Sequence, residues 1–289
     1  MSTVEQITEP VAQHGEGPVW YAGWPGLRWV DMLAGDVLEL DPATQRVRRS
    51  HVGEVAAVVR PCTDGRALLA VERGFAIADP SLAHVRPLVE VFGEPGVRMN
   101  EGGCDPDGRF YCGSMAYDER TGAGSLYRLD PDGTVTTVLT GVTVSNGFAF
   151  SPDGGTAYYI DSPTHRVDAF DYDPARGLTG RRTLLRLPAG GGAPDGMTVD
   201  ADGRLWIALW GGSAVGCYTP GGRLEEKVPL PARHVTACTF GGPDLNELYI
   251  TTSRQGVPGG AEPEAGALFR YRPGVRGLPV LPFAAPADR

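Results

Sequence analysis

Six stretches of this chain repeat one pattern: a turn marked by Asp or Gly, then a run of alternating or β-branched apolar residues. Four show it openly: CTDGRALLAVE (62–72), CDPDGRFYCGSM (104–115), FSPDGGTAYYIDS (150–162) and VDADGRLWIALW (199–210). FGGPDLNELYITTS (240–253) keeps the run but has Leu245-Asn246 after its Asp, and VWYAGWPGLRWVDM (19–32) turns through Gly23 and Gly26. An Asp-Gly pair between two such runs is the strongest short-range hairpin signal. The turn markers Gly23, Asp64, Asp107, Asp153, Asp202 and Asp244 lie 41, 43, 46, 49 and 42 residues apart. That period fits one four-stranded blade per unit, so the repeat predicts an all-β, six-bladed β-propeller with four antiparallel strands per blade, a single domain over 1–289.

The fifth unit resolves its strands best. Gly196–Asp200, Arg204–Leu209, Ala214–Tyr218 and Leu224–Leu230 read as four strands separated by polar turns, and no stretch of the chain reads as a long amphipathic helix. The sixth unit runs out into the Pro-rich LPVLPFAAPADR. The N-terminal segment near Val4–Val11 is therefore expected to supply its outer strand and so to close the last blade and cover a free sheet edge.

Composition narrows the function. Apolar residues make up 42% of 289, enough for a sizeable core, and 41 Gly with 25 Pro suit many short strands joined by turns. Asp and Glu outnumber Lys and Arg by 35 to 26, a formal charge of -9, and no basic run reaches five residues, which disfavours nucleic-acid binding. The opening MSTVEQITEP has no positive region or apolar core, so neither a signal peptide nor a membrane partner is expected. Cys62, Cys104, Cys112, Cys217 and Cys238 stand singly; an odd number of unpaired thiols points to a reducing, cytoplasmic setting.

Seven residues before each turn marker stand Glu16, Ala57, Asn100, Asn146, Asp195 and Ala237. In a propeller these positions open the innermost strands and converge on one mouth of the axial channel. Asn146-Gly147 or Asp195-Gly196 alone is ordinary turn chemistry; a shared register across units is not. Two carboxylates and two amides meeting in a narrow channel are costly unless a positive charge lies between them. The oxygen donors suit one divalent cation, Ca²⁺ first, with Mg²⁺, Mn²⁺ or Zn²⁺ as alternatives.

The connections after each second strand return to that mouth, among them the Gly-rich SMAYDERTGAG and SRQGVPGGAEPEAG, suited to shaping a polar pocket. Arg98 lies just above the ring, where it can donate to a hydroxylated ligand. His14, His165 and His234 fall near mouth-side segments and are read as structural, with no assigned role.

HGEGPVW around Glu16, VRMNEGGCDPDGRFYCGSM around Asn100 and VSNGFAFSPDG around Asn146 resemble the SMP-30/gluconolactonase/regucalcin family of six-bladed propellers. So do YYIDSPTHRVDAFDYD, PDGMTVDADGRLWIALWGG and TFGGPDLNELYITTS, in order, from about residue 14 to 272. The resemblance implies Glu16, Asn146 and Asp195 as metal ligands, and Arg98, Asn100 and Asp118 as substrate contacts. It implies hydrolysis of small sugar lactones; for that reaction Asp195, a ligand on the axis, is taken as the general base toward a bound water. Two positions depart from the family pattern: Asn100-Glu101-Gly102 replaces Asn-Asp-Gly, and Gly113-Ser114-Met115 replaces Gly-Thr-Met. The GxSxG and GxGxxG motifs are missing, against a serine esterase or a dinucleotide enzyme. The expected partner is a small sugar lactone, and the expected state a monomer or weak homo-oligomer. The alternatives are a non-catalytic calcium- or ligand-binding propeller and a hydrolase of other esters.

Overall fold

The computed structural model describes residues 3–286. Met1, Ser2 and the last three residues of the LPVLPFAAPADR tail, which belong to the expected single domain, lie outside them. Short strand β1 (Glu5–Gln6) is followed by β2 (Gly15–Val19), β3 (Leu27–Asp31), β4 (Asp36–Leu40) and β5 (Val47–His51), of which β2–β5 pair in order as one antiparallel sheet. A second sheet holds β6 (Ala56–Pro61), β7 (Ala67–Val71), β8 (Gly74–Ala78) and β9 (Val85–Glu90). A third holds β10 (Val97–Cys104), β11 (Phe110–Ala116), β12 (Gly124–Leu129) and β13 (Val135–Val142). The fourth holds β14 (Ser145–Phe150), β15 (Thr156–Asp161), β16 (Arg166–Asp173) and β17 (Gly177–Arg186).

The next strands are β18 (Ala193–Val199), β19 (Leu205–Trp210), β20 (Ala214–Tyr218), β21 (Leu224–Pro229), β22 (His234–Gly241), β23 (Glu247–Ser253) and β24 (Phe269–Tyr271). With β1 they form one eight-stranded sheet, in which β18–β21 and β22–β24 meet through the single pair Trp210↔His234. The expected N-terminal contribution is β1, which adds antiparallel to β24 through Glu5↔Arg270 and Gln6↔Phe269. The only helical turns among the described residues are 3₁₀ turns at Met32–Ala34 and Ser162–Thr164.

Strand position in a sheet follows the sequence. First strands such as β6 (AAVVRP) and β10 (VRMNEGGC) are buried throughout, whereas outer strands such as β5 (VRRSH) and β21 (LEEKVP) are mostly exposed or half-buried. The first strands contact one another in series, β2 with β6, then β10, β14, β18 and β22, and β22 contacts β2 again. This is a β-propeller-type arrangement, with apolar residues packed between successive sheets. Gly65, Gly108, Gly154 and Gly203, each after a marker Asp, take φ between 71° and 88°, the left-handed geometry that makes Gly the favoured residue there. In the last unit Leu245 takes this place at φ 53°.

All six first strands break register where the sevenfold spacing places its residues. The shifts fall between Glu16 and Val19, Ala56 and Val58, Met99 and Gly102, Asn146 and Phe148, Pro194 and Met197, and Val235 and Ala237. A β-bulge bends its strand and re-aims a side chain. The bulge also explains why β18 begins at Ala193, three residues before the expected Gly196: pairing resumes upstream of the two-residue interruption.

Candidate metal centre and substrate cavity

One cavity of about 170 Å³ receives Glu16, Asn100, Asn146 and Asp195 together with Arg98. The four register side chains are each only 4–5 % exposed. Ala57 and Ala237, the other two register positions, have no polar group to offer and do not line it.

A chain of hydrogen bonds fixes the polar side chains. Arg98 Nη1 donates to Asn100 Oδ1 at 2.6 Å, and Asn100 Nδ2 donates to Ser145 O at 2.7 Å and Asn146 Oδ1 at 3.0 Å. Asn146 Nδ2 donates to Ser162 Oγ at 2.8 Å, and Ser162 Oγ donates to Pro194 O at 2.6 Å, one residue before Asp195. Both Asn100 amide hydrogens are therefore committed, leaving only a spare lone pair on its Oδ1.

The carboxylates are less well served. Burial, then the Glu101 charge, pushes Glu16 up to about 8, although the Gly17 N–H donates to its Oε2 at 3.1 Å. Burial first, and then Glu16 and Glu101, raises Asp195 well above the usual carboxylate range. Asp195 Oδ1 is buried without a hydrogen-bond partner. Arg98 supplies countercharge at a distance, but its Nη1 is directed to Asn100 Oδ1, Met99 O and Met32 Sδ. His14 Nε2 lies 4.0 Å from Glu16 Oε1, yet burial, Arg98 and His234 lower its pKa to about 3, so a neutral ring faces the carboxylate.

Two buried carboxylates, an orphaned oxygen and a converging amide are the donor set a hard divalent cation needs, and the residues fit such an ion. Among the described residues no group of three His, Cys, Asp or Glu side chains stands close enough to hold an ion unaided. The candidate set is mixed, and the Asn146 amide is its third member.

The mouth-side loops contribute as the strand direction predicts, through Tyr117 and Glu119, Ser162 and Pro163, Trp210, and Gln255. Asp118 does not line the cavity: its side chain is 66 % exposed and pairs with Arg120 at 3.1 Å. Tyr117 and Glu119, though exposed, reach the cavity from this turn, while Asp118 between them does not. His14, read from the sequence as structural, and Leu33, Ser162 and Trp210, given no role there, line the wall. His14 is held by Ser253 Oγ at 2.8 Å and makes an edge contact with Trp210, which stacks on His234 with ring centroids 4.0 Å apart. HGEGPVW places His14 two residues from Glu16, on the same face of an extended strand, and that spacing is the signal that marks it as a wall residue.

Fold and site together define a β-propeller-type protein with a polar, carboxylate-bearing channel mouth. Residues 14–254 match the SMP-30/Gluconolactonase/LRE-like region, and the chain belongs to that family. It is 35% identical to a regucalcin of Danio rerio, covering 97% of this chain and 98% of that one. It is 36% identical to a pentonolactonase of Haloferax volcanii, covering 96% and 97%. Among solved structures, a calcium-binding regucalcin of Agrobacterium tumefaciens superposes with a TM-score of 0.88 at 27% identity, covering 100% of this chain and 97% of that one.

Proposed function

We propose that this chain is a divalent-metal-dependent hydrolase that opens small sugar lactones to aldonic acids, built as one six-bladed propeller domain. For the blade count, the eight-stranded sheet is read as two blades joined at Trp210↔His234, added to four separate four-stranded sheets. The observation that carries the functional reading is the convergence of buried Glu16 and Asp195 with Asn146 beside Arg98 and Asn100. The names of relatives, a pentonolactonase among them, point the same way.

Glu16, Asn146 and Asp195 would hold the cation, with Ca²⁺ favoured by oxygen donors and by the calcium-binding relative. When bound, such an ion supplies Lewis acidity toward a carbonyl and lowers the pKa of a coordinated water. Asp195 Oδ1, free of other partners, accepts the proton of the attacking water. Arg98 orients ring hydroxyls, and Asn100 holds the Arg98 fork while offering its remaining Oδ1 lone pair to a substrate hydroxyl. Tyr117 and Glu119 bound the sugar from the loop. Asp118 is proposed as a rim contact for a substrate long enough to leave the cavity. The five cysteines are all free and buried, in keeping with a reducing compartment such as the cytoplasm.

A pH-indicator assay on pentono- and hexonolactones, with and without chelator, tests the reading. Turnover abolished by chelation and restored by a divalent ion is expected; turnover that survives chelation defeats it. The regucalcin relatives favour a second reading, a non-catalytic calcium-binding propeller, and binding of calcium with no turnover of any lactone would support that one.

A further inference from the structure

A second, larger cavity of about 420 Å³ opens at the opposite end of the channel. Trp20, Phe148, Phe150, Met197, Phe240 and Leu281 contribute apolar walls, and Arg60 and Glu101 stand among them. The C-terminal segment crosses this opening. Gly277 N donates to Leu245 O at 2.7 Å, and Phe283 N donates to Pro61 O at 2.8 Å, so residues 278–281 are pinned at both ends and form part of the lining.

The two charged residues are not spent on each other. Glu101 is 6 % exposed, and its Oε2 is buried without a hydrogen-bond partner. Arg60 is 9 % exposed and directs Nη1 to the carbonyls of Gly17 and Val59 at 3.2 and 2.8 Å. An orphaned carboxylate oxygen and a guanidinium thus stand together in the wall of a mostly apolar chamber. A lone carboxylate drawn to Arg60 would also meet Glu101, and a lone ammonium drawn to Glu101 would also meet Arg60, so neither gains a net countercharge for its lost hydration. A neutral hydroxyl or primary amide donates to one and accepts from the other.

We propose that this lower cavity is a binding site for a small uncharged molecule with an apolar body and an alcohol or primary-amide end. Its body packs on the rings, and its polar end lies between Glu101 and Arg60. The volume falls within the range of about 300–1,000 Å³ common for small-molecule pockets. The site shares no lining residue with the mouth cavity, so the proposal stands apart from the lactonase reading.

Saturation-transfer NMR with benzyl alcohol and benzamide as probes, and toluene and benzoate as controls, tests it on the full chain. Saturable binding of the alcohol and amide is expected, with both controls at least about tenfold weaker. Glu101→Gln keeps the shape and removes the charge, and should weaken the alcohol several-fold. Thr239→Trp, which fills the chamber from its wall, should abolish binding while the mouth cavity keeps its response to calcium. Equal binding of toluene and benzyl alcohol, no saturable binding, or binding unchanged in both variants would overturn the proposal.

Discussion

Asn100 donates one amide hydrogen to Asn146 Oδ1, the oxygen proposed to face the ion, at 3.0 Å. Asn146 Nδ2 is taken by Ser162, so the amide cannot reverse without breaking two hydrogen bonds. Orientation of this amide is thus imposed by Asn100 from the neighbouring sheet and by Ser162 from the turn after the second strand of its own sheet.

This relationship predicts the behaviour of Ser162→Ala. The substitution frees Asn146 Nδ2 and leaves Pro194 O without its hydroxyl donor. Losing such a supporting contact commonly costs about 10–100-fold in metal affinity. Calcium titration by calorimetry should show a loss in that range with the fold retained, and unchanged affinity would mean that Asn100 alone sets the amide.

Asp195→Asn should abolish lactone turnover and weaken cation binding, yet make the cation-free protein more stable. The buried carboxylate has an unpartnered oxygen and a raised pKa, so a neutral isostere removes a penalty. Thermal unfolding in chelator, compared with and without the substitution, measures the sign; a fall in melting temperature would contradict it.

The pH dependence follows from Glu16. Its folded pKa of about 8 exceeds the ordinary 4.5, so the folded cation-free state favours the protonated form. Stability from this group is full below about pH 4.5, declines as pH rises, and is lost beyond about 8. Between pH 5 and 8 in chelator, the wild-type melting temperature should fall relative to that of Glu16→Gln. Added calcium, which favours the ionised form, should close the gap at pH 8. Parallel curves for the two proteins would exclude this titration.

Gly196 stands where β18 meets β22: a Cβ there would lie 2.5 Å from Ala237 Cβ and 2.9 Å from its Cα. Gly196→Ala forces first strands of neighbouring sheets apart and should cost about 1–3 kcal/mol. Urea unfolding would show this as a lowered midpoint, and no change would mean the strands separate freely.

The repeat made the all-β class, the last three strands of the fifth unit to within a residue and the convergence of Glu16, Asn100, Asn146 and Asp195 on one cavity legible in advance. Each unit encodes the same local hairpins, and equal spacing in equal units puts equal positions around one axis. The repeat says nothing of Asp118, which is assigned from the family resemblance alone, because a loop outside the repeat follows its own backbone path. Ser162 gave a faint signal, as the polar residue directly after Asp161 at a strand end on the mouth side, but nothing local joined it to Asn146.

By itself, the sequence determined the period, the register and the chemistry of the residues brought to the channel mouth, because these depend on contacts within about one unit. Only the tertiary structure decided which side chains satisfy one another. Asn100 to Asn146, His14 to Ser253 and the C-terminal segment against Pro61 join residues 46, 239 and 222 positions apart. Such pairings follow from how successive sheets and loops settle against each other, and no local pattern in the chain records that.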